Sequence, residues 1–336
     1  MGCSPTRARA RGLLFCTLML LAWAGGCSSP SSPTPQPPPP PLAEAPSLSC
    51  QENVARGTIN NAGLAISFQT PEATRGQSPV NVVCSPESGS MFPIGQTTVT
   101  CTATDALNRQ ATCEFRVAVT KLPQLSRLRF MAFGDSITAG EVTFPGSTAG
   151  LTSGKQVLVP SAAYPTVLER LLRSRYQFQS DQVFVFNQGV GGEKAIDARN
   201  RYFAAIASLR PDVVLILSGH NDIPLGADGA ASGAANEVRI MAQEAKVRGL
   251  RVFIATPVPG RPGGNRTINP FLLVDYANRM RDMAAREGAV LVDLYAAMLP
   301  DVQRYIGVDG LHPNEAGYAR MAELFFQAIQ ANLEVR

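Results

Sequence analysis

The sequence predicts a small all-β sandwich followed by a larger α/β domain, in which helices cover both faces of a parallel sheet. Its 336 residues allow two domains at roughly 100–200 residues each. Residues 49–120 alternate short runs rich in β-branched residues with turn residues, which is typical of a small sandwich. From about Leu128 the pattern changes to apolar runs separated by longer helical stretches. The overall composition, 45% hydrophobic and 17% charged, is ordinary for a globular protein.

The second region, residues 126–336, has five largely apolar runs that predict buried strands. These runs are Leu128–Phe133, Val183–Phe186, Val213–Leu217, Val252–Ala255 and Val290–Val292. Helical stretches lie between them near 162–175, 196–209, 231–248 and 270–287, and a final one covers 314–333. Strands that alternate with helices favour a three-layer arrangement around a parallel sheet. Ligands of such sheets bind beyond the carboxyl ends of the strands, and we expect the functional site there.

The first region, residues 49–120, is short, and its cysteines suggest how it is stabilised. Its clearest strand-like runs are Asn81–Val83, Thr97–Thr100 and Phe115–Val119. Its cysteines are Cys50, Cys84, Cys101 and Cys113. In an oxidising compartment this even number predicts two disulfides, but three connectivities satisfy it. A domain of about 70 residues is only marginally stable from the burial of its core alone. Each disulfide would add about 2–4 kcal/mol to its stability.

Residues 1–26 have the features of an export signal. Three arginines precede the apolar run Leu13–Ala24, which is shorter than the roughly 20 residues of a membrane span and typical of a signal peptide. The small residues 24–26 before Cys27 resemble a bacterial lipobox, in which Cys27 is lipidated and becomes the new N-terminus. We interpret residues 1–26 as a lipoprotein signal peptide. An ordinary secretory signal with an incidental cysteine is the alternative.

Residues 27–48 predict an extended tether. The segment Ser28–Pro46 is rich in proline, including an unbroken run from Pro37 to Pro41, and favours a polyproline conformation over a packed core. We therefore expect an exported protein that is anchored to a bacterial membrane through the lipid on Cys27. Because Ser28, not Asp, follows that cysteine, the outer membrane or the cell surface is the expected location.

Charge and histidine content exclude several classes of function. The net charge is +4, but removing the leader lowers the number of basic residues from 30 to 27, against 26 acidic ones. The remaining chain has no excess of basic residues that would indicate nucleic-acid binding. The two histidines, His220 and His312, are too few for a His-rich metal site. The α/β region also lacks a His-x-x-x-His pair and cysteines at zinc spacing, so we expect neither a metal nor a cofactor.

Four short motifs come after predicted strands, and the fourth lies beyond the last strand, directly before the final helix. They are Gly134-Asp135-Ser136, the glycine-rich segment 187–193, Gly219-His220-Asn221-Asp222 and Asp309-Gly310-Leu311-His312. Each motif is modest alone, but the ordered set resembles the SGNH (GDSL-like) hydrolase family over residues 126–336. The resemblance implies an SGNH-type three-layer fold and an enzyme that acts on ester bonds.

The chemistry of these residues agrees with the resemblance. A serine hydroxyl is a poor nucleophile until a neighbouring base takes its proton, and we assign Ser136 as the nucleophile and His312 as the base. Asp309 lies three residues before His312, where its carboxylate can hold the other ring nitrogen and stabilise the imidazolium. The resemblance assigns the oxyanion hole to the backbone amides of Ser136 and Gly192 and to the side chain of Asn221.

Three other polar residues of the motifs are interpreted as structural. His220 is the competing histidine, but no aspartate lies three residues before it, and we expect it in the pocket wall or the core. Asp135 and Asp222 are expected to hydrogen-bond within the fold and not to act as acids.

The β region carries a second resemblance. The strings Phe92–Gly95, Thr98–Asp105 and Ala111–Cys113 resemble the hyalin repeat, an immunoglobulin-like module, over most of residues 49–120. The resemblance implies a contact role, for example with a surface or a polysaccharide, and no chemistry. An inert spacer is the alternative.

The leading hypothesis is an exported serine esterase that forms an acyl-enzyme on Ser136. The segments 141–161, 222–234 and 257–270 predict loops around the pocket, and their small, polar composition favours short acyl groups or carbohydrate acetyl esters over long lipids. One alternative is a surface binding or adhesion protein with a non-catalytic, carbohydrate-binding domain. Another is an acyltransferase that uses the same residues.

Overall fold

The computed structural model describes residues 41–144, 155–223 and 229–335. The expectations for the leader, for Cys27 and for most of the tether lie outside the described residues. The helices of the described ranges include none that is long and apolar enough to cross a membrane.

The β region is built on a four-stranded sheet. Its eight strands are β1 (Ser47–Leu48), β2 (Val54–Thr58), β3 (Leu64–Ala65), β4 (Ala73–Thr74), β5 (Asn81–Ser85), β6 (Met91–Phe92), β7 (Gly95–Thr104) and β8 (Gln110–Lys121). The main sheet has the order β2-β8-β7-β5, and β1-β4 and β3-β6 form two small antiparallel pairs. The three strand-like runs predicted from the sequence lie within β5, β7 and β8.

The core of the β region is small and cross-linked. Phe92, Val99 and Val117 are fully buried in it. The structure pairs the cysteines as Cys50–Cys113 and Cys84–Cys101, which decides among the three connectivities left open by the sequence. Cys84 and Cys101 face each other across β5 and β7.

The segment after the β region is more ordered than its sequence indicates. Residues Gln124–Leu125 form a short strand, β9, which pairs antiparallel with β17 (Glu334–Val335) at the end of the chain. The backbone amide of Leu125 also donates a hydrogen bond of 2.8 Å to the side chain of Gln179. The segment just before the α/β region is therefore paired with the last strand that the structure describes.

The α/β region contains one five-stranded parallel sheet. Its strands are β10 (Arg129–Gly134), β13 (Phe184–Gly189), β14 (Val213–Leu217), β15 (Arg251–Ala255) and β16 (Val290–Val292), in the order β13-β10-β14-β15-β16. All five predicted strands are present. The main helices are α2 (Tyr164–Arg175), α3 (Ala195–Leu209), α4 (Ala230–Val247), α5 (Pro270–Glu287) and α8 (Glu315–Leu333).

Helices cover the sheet in two groups, which confirms the predicted three-layer class. Helix α2 packs against α8, while α3, α4 and α5 pack against one another in succession. Every residue of β14, the central strand, is buried. A strand that is apolar at successive positions is stable only when both faces are covered, and this strand meets that condition.

Three short helices and one hairpin of the α/β region were not predicted. They are α1 (Ser136–Ala139), α6 (Leu294–Met298), α7 (Val302–Tyr305) and a hairpin of β11 (Glu141–Phe144) and β12 (Lys155–Leu158). The prediction of a loop over residues 141–161 was therefore wrong at its start and near its end, and the predicted loop 222–234 ends earlier, at Gly229, because α4 begins at Ala230. Elements of four or five residues give too little periodicity to be recognised.

Candidate active site

Ser136 lies at the carboxyl end of β10, where α1 begins. Asp135 caps this helix by accepting a hydrogen bond of 3.0 Å from the amide of Ile137. A Cβ on Gly134 would come within 2.0 Å of the Leu217 carbonyl oxygen on β14. Glycine is therefore required where β10 turns into the helix, and that turn places Ser136 at the edge of the sheet.

Ser136, His312 and Asp309 form a continuous hydrogen-bonded chain. The Ser136 Oγ lies 2.9 Å from the Nε2 of His312, although 176 residues separate the two in sequence. The Nδ1 of the same ring lies 2.6 Å from the Asp309 Oδ2. All three residues are almost completely buried. These three residues were predicted to share one site, and the structure brings them together.

Asp309 is held by more than its contact with the imidazole. Its Oδ1 accepts hydrogen bonds of 3.1 Å from the amides of Leu311 and His312. Its Oδ2 also accepts a bond of 2.8 Å from the Thr143 hydroxyl. Burial raises the pKa of the Asp309 carboxyl, but these hydrogen bonds, led by that from the His312 ring, outweigh it and lower the pKa to about 2. Asp309 is therefore ionised at neutral pH and can stabilise an imidazolium.

The turn before α8 presents His312 to the site. Pro313 follows the histidine and disfavours helical geometry there. Ile306 bridges Pro313, and the amide of Gly307 donates a hydrogen bond of 2.7 Å to the His312 carbonyl oxygen. Helix α8 then starts with Asn314 as its cap. The turn that carries His312 is therefore a closed loop.

The residues assigned to the oxyanion hole line the same cavity as Ser136. Gly192 has a φ of +75°, and a Cβ placed on it would meet nothing within 4 Å, so the space beside its Cα is open. The Asn221 Nδ2 donates one hydrogen bond of 3.0 Å to the Glu193 carbonyl oxygen, which leaves its second hydrogen available. The cavity has a volume of about 400 Å³ and is lined by Ser136, Glu141, Gln156, Gly191, Gly192, Asn221, Arg266 and Leu311.

Comparison with known proteins identifies both regions. The model of the GDSL-like Lipase/Acylhydrolase family matches residues 132–320. The chain belongs to this family. A model of the HYR domain matches residues 43–119, which confirms the resemblance of the β region to the hyalin repeat.

Two curated relatives carry esterase names. An acetylxylan esterase from Xylanibacter ruminicola is 25% identical over 233 residues, which cover 62% of this chain and 44% of the relative. Esterase TesA from Pseudomonas aeruginosa is 29% identical over 154 residues, or 46% of this chain and 73% of TesA. The chain thus spans less than half of the acetylxylan esterase.

A solved structure shares the fold. The crystal structure of the lipase/acylhydrolase from Enterococcus faecalis superposes with a TM-score of 0.51 at 22% identity. The superposition covers 61% of this chain and 97% of the other. The α/β region is therefore a GDSL-type hydrolase fold.

Three residues of this GDSL-type cavity were not identified from the sequence. Glu141 and Gln156 lie on β11 and β12, with the Gln156 Nε2 at 3.4 Å and the Glu141 Oε2 at 3.9 Å from the His312 Nε2. Arg266 lies on the segment 257–270 and also lines the cavity. Their segments were predicted to surround the pocket, but none of the three belongs to a family motif, so the sequence offered no signal for the individual side chains.

The competing histidine has a different environment. His220 is buried beneath the site, and its Nε2 accepts a hydrogen bond of 3.1 Å from the Val258 amide. Its Nδ1 lies 3.5 Å from the Asp135 Oδ2. Asp222 accepts a bond of 2.8 Å from the Ala195 amide at the start of α3, and burial raises the pKa of its carboxyl. These contacts match the structural roles expected for all three residues.

The described residues contain no group of three or more histidine, cysteine or acidic side chains that could hold a metal ion. The chemistry derived below uses only side chains and backbone amides of the chain.

Proposed function

We propose that this protein is a serine esterase that hydrolyses carboxylic esters through an acyl-enzyme on Ser136. The observation that carries the proposal is the chain of hydrogen bonds from Ser136 through His312 to Asp309, at 2.9 and 2.6 Å, at the wall of an open cavity. A serine, a base and an orienting carboxylate in this geometry are the requirements for nucleophilic acyl transfer.

In the first half-reaction the Ser136 Oγ attacks the ester carbonyl carbon while the His312 Nε2 takes its proton. The resulting imidazolium is stabilised by Asp309, which also fixes the ring by its Nδ1. Collapse of the tetrahedral intermediate breaks the bond to the alcohol oxygen, and the imidazolium returns its proton to that oxygen. The alcohol leaves, and the acyl group stays on Ser136.

The second half-reaction repeats these steps with water. His312 takes a proton from the water, whose oxygen attacks the acyl carbon, and Ser136 leaves with the proton returned from the imidazolium. Negative charge develops on the carbonyl oxygen in both halves. The amides of Ser136 and Gly192 and the free hydrogen of Asn221 are the donors proposed to stabilise it, each worth about 3–4 kcal/mol.

The proposed substrates carry short acyl groups, with acetyl esters of carbohydrates favoured. Glu141, Gln156, Asn221 and Arg266 make the cavity rich in polar side chains, and Leu311 is its one large apolar residue among those described. A long acyl chain would need a more extensive apolar surface. One of the relatives is named an acetylxylan esterase, which supports the same choice.

The proposed location is the surface of a bacterial membrane, with the lipid on Cys27 as anchor. Two disulfides in the β region support an oxidising compartment. In this arrangement the tether and the HYR region would hold the catalytic region near an insoluble surface or a polysaccharide. Detergent-phase partitioning of the full chain should retain the wild type and release Cys27→Ala, and equal partitioning of both would contradict the anchor.

Turnover of 4-nitrophenyl acetate tests the proposed chemistry. Ser136→Ala and His312→Ala should each lower kcat/KM by at least about 1,000-fold, because each removes a member of a cooperative unit. Ser232→Ala changes an exposed serine outside this cavity and should retain wild-type turnover. Wild-type turnover in both active-site variants would refute the proposal.

An acyltransferase and a non-catalytic binder are the alternatives. Transfer to a sugar hydroxyl would use the same acyl-enzyme, and it predicts an acylated sugar in place of free acid when a sugar acceptor is added. A binder has no need of the complete triad and predicts no turnover by the wild type. Product analysis by mass spectrometry separates the three outcomes.

A further inference from the structure

Glu141 contributes a carboxylate to the cavity that the proposed triad does not use. It is the first residue of β11, and its side chain is 18% exposed. Its Oε2 lies 3.9 Å from the His312 Nε2. A Cβ placed on Gly191 would come within 2.3 Å of its Oε1, so this glycine leaves the space that the carboxylate occupies.

The Glu141 carboxylate has no hydrogen-bond donor among residues 41–144, 155–223 and 229–335. His312, whose Nε2 lies 3.9 Å from Glu141, directs that nitrogen to the Ser136 hydroxyl. Arg266 lines the cavity, but it forms no ion pair with Glu141 within 4.0 Å. The side chain is 18% exposed and lines an open cavity, so its carboxylate oxygens can accept a hydrogen bond from water or from a bound ligand. A ligand hydroxyl can therefore take the place of water at this carboxylate.

The position of the carboxylate indicates which part of an ester it would meet. During acylation the His312 Nε2 must deliver its proton to the alcohol oxygen of the ester. That oxygen therefore lies beside the nitrogen, and Glu141 lies next to the same nitrogen. The carboxylate thus faces the alcohol part of the substrate, while the acyl part extends from the oxyanion hole.

We propose that Glu141 determines specificity by accepting a hydrogen bond from a free hydroxyl next to the ester in the alcohol part. The inference rests on the proposed esterase function and extends it to a substrate class, the partly acylated polyols and sugars. A hydroxyl on the neighbouring carbon supplies a donor that the described residues do not. The Gln156 amide, 3.4 Å from the same histidine nitrogen, supplies a complementary donor for a sugar oxygen.

A double-mutant cycle between the enzyme and the substrate tests this contact. The substrates are a methyl glycoside with one acetyl ester beside a free hydroxyl, and the same acetate with that hydroxyl replaced by hydrogen. Glu141→Ala should lower kcat/KM for the hydroxylated acetate by about 10- to 100-fold, the usual effect of losing a hydrogen bond to a charged group. It should change kcat/KM for the deoxy acetate by less than about threefold, because the contact is already missing there.

Two further variants keep the test decisive. Glu141→Gln preserves the shape and one acceptor oxygen, so it should give an intermediate loss on the hydroxylated acetate alone, even if the alanine variant is poorly folded. Glu323→Gln removes a surface carboxylate on α8 and should affect neither substrate. Equal losses on both acetates, which a role through His312 predicts, would overturn the proposal, as would no loss on either. Failure of the esterase function itself would appear separately, as wild-type turnover of neither acetate.

Discussion

At the scale of single residues, Asp309 links the proposed catalysis to stability in acid. Its carboxylate accepts hydrogen bonds from two backbone amides, from the Thr143 hydroxyl and from the His312 ring. These bonds favour the ionised form and hold the pKa of Asp309 at about 2, below its usual value of 3.8. A carboxyl whose pKa is lower in the folded state stabilises the fold above its unfolded pKa, and this contribution is lost as the pH falls through the folded pKa.

Asp309→Asn should therefore lower stability at pH 7 by on the order of 2 kcal/mol relative to the wild type. The difference should shrink between about pH 4 and pH 2, where the wild-type carboxyl takes up its proton. Urea unfolding of both proteins at a series of pH values measures it. Asp105, in the β region, also has a pKa of about 2 and takes up its proton in the same pH range. Only the difference between the wild type and the variant therefore isolates the contribution of Asp309. A difference that stays constant from pH 7 to pH 2 would contradict the assignment.

The site residues that belong to motifs could be predicted from the sequence, and the other residues of the site could not. Ser136, Asp309 and His312 were recognised because serine, aspartate and histidine have defined chemical roles and follow predicted strands. Glu141 precedes a segment of small residues without a motif, and nothing in its neighbourhood distinguishes a pocket carboxylate from a surface one. Its position depends on the pairing of β11 with β12, which brings together residues on either side of a long connection.

At the scale of elements, the segment 257–270 supports the turn that carries Asp309 and His312. The amide of Arg266 donates a hydrogen bond of 2.8 Å to the Asp309 carbonyl oxygen. A Cβ on Gly264 would lie 2.1 Å from the backbone carbon of Asp309. A Cβ on Gly310 would lie equally close, at 2.1 Å, to the Thr267 hydroxyl. Gly264 thus lets the two loops pack backbone to backbone, and Gly310 leaves room for the Thr267 hydroxyl.

Gly264→Ala should displace the turn and lower kcat for 4-nitrophenyl acetate by at least about tenfold, because small misplacements of catalytic groups are costly. Gly233→Ala is the matched control, since a Cβ at this exposed position in α4 meets nothing within 4 Å. It should leave kcat unchanged and raise stability by about 0.5–1 kcal/mol, the cost of glycine in a helix. Equal kcat values in the two variants would show that the loop packing does not position Asp309.

The long elements of the α/β region could be predicted, and the short ones could not. The strands Val213–Leu217 and Val290–Val292 and the helix 270–287 have the predicted bounds, because uninterrupted apolar runs and 3.6-residue periodicity are strong signals. The hairpin of β11 and β12 has four residues in each strand. Val157 and Leu158 are exposed, so even the apolar positions of β12 do not mark a buried face.

At the scale of the whole molecule, the described residues contain two separate cores. The core of the β region is centred on residues such as Phe92 and Phe115 and is joined by the two disulfides. The core of the α/β region surrounds the parallel sheet and contains none of the cysteines. The Cys50–Cys113 bond closes a sequence separation of 63 residues, which corresponds to about 4 kcal/mol by the loop-entropy model.

Replacing Cys50 and Cys113 together by alanine should unfold the β region and leave the ester turnover intact. A loss of about 4 kcal/mol is a large fraction of the stability of so small a core. Limited proteolysis should cleave the variant within residues 49–120 under conditions where the wild type is resistant. Turnover of 4-nitrophenyl acetate should stay within about twofold of the wild type, since the triad lies in the other core. If the variant lost its turnover together with its resistance to protease, the two cores would be interdependent.

The number of disulfides followed from the sequence, but their connectivity required the fold. An even number of cysteines in an exported region fixes how many bonds can form. The pairing depends on which strands are neighbours: β7 runs between β5 and β8, and Cys101 faces both Cys84 and Cys113 in register. Cys101 could therefore bond to either cysteine. The fold decides between them because it brings Cys50 to Cys113, which leaves Cys84 for Cys101.

The central claim is that Ser136 is a nucleophile activated by His312. A fluorophosphonate probe tests it most directly, because the serine oxygen displaces fluoride from phosphorus only when a base activates it. Intact-protein and peptide mass spectrometry should show one adduct per chain, on the peptide that contains Ser136, and its rate should fall by about 100-fold or more in His312→Ala. The folded wild-type protein remaining unlabelled, or labelling at another serine with Ser136 unmodified, would contradict the account.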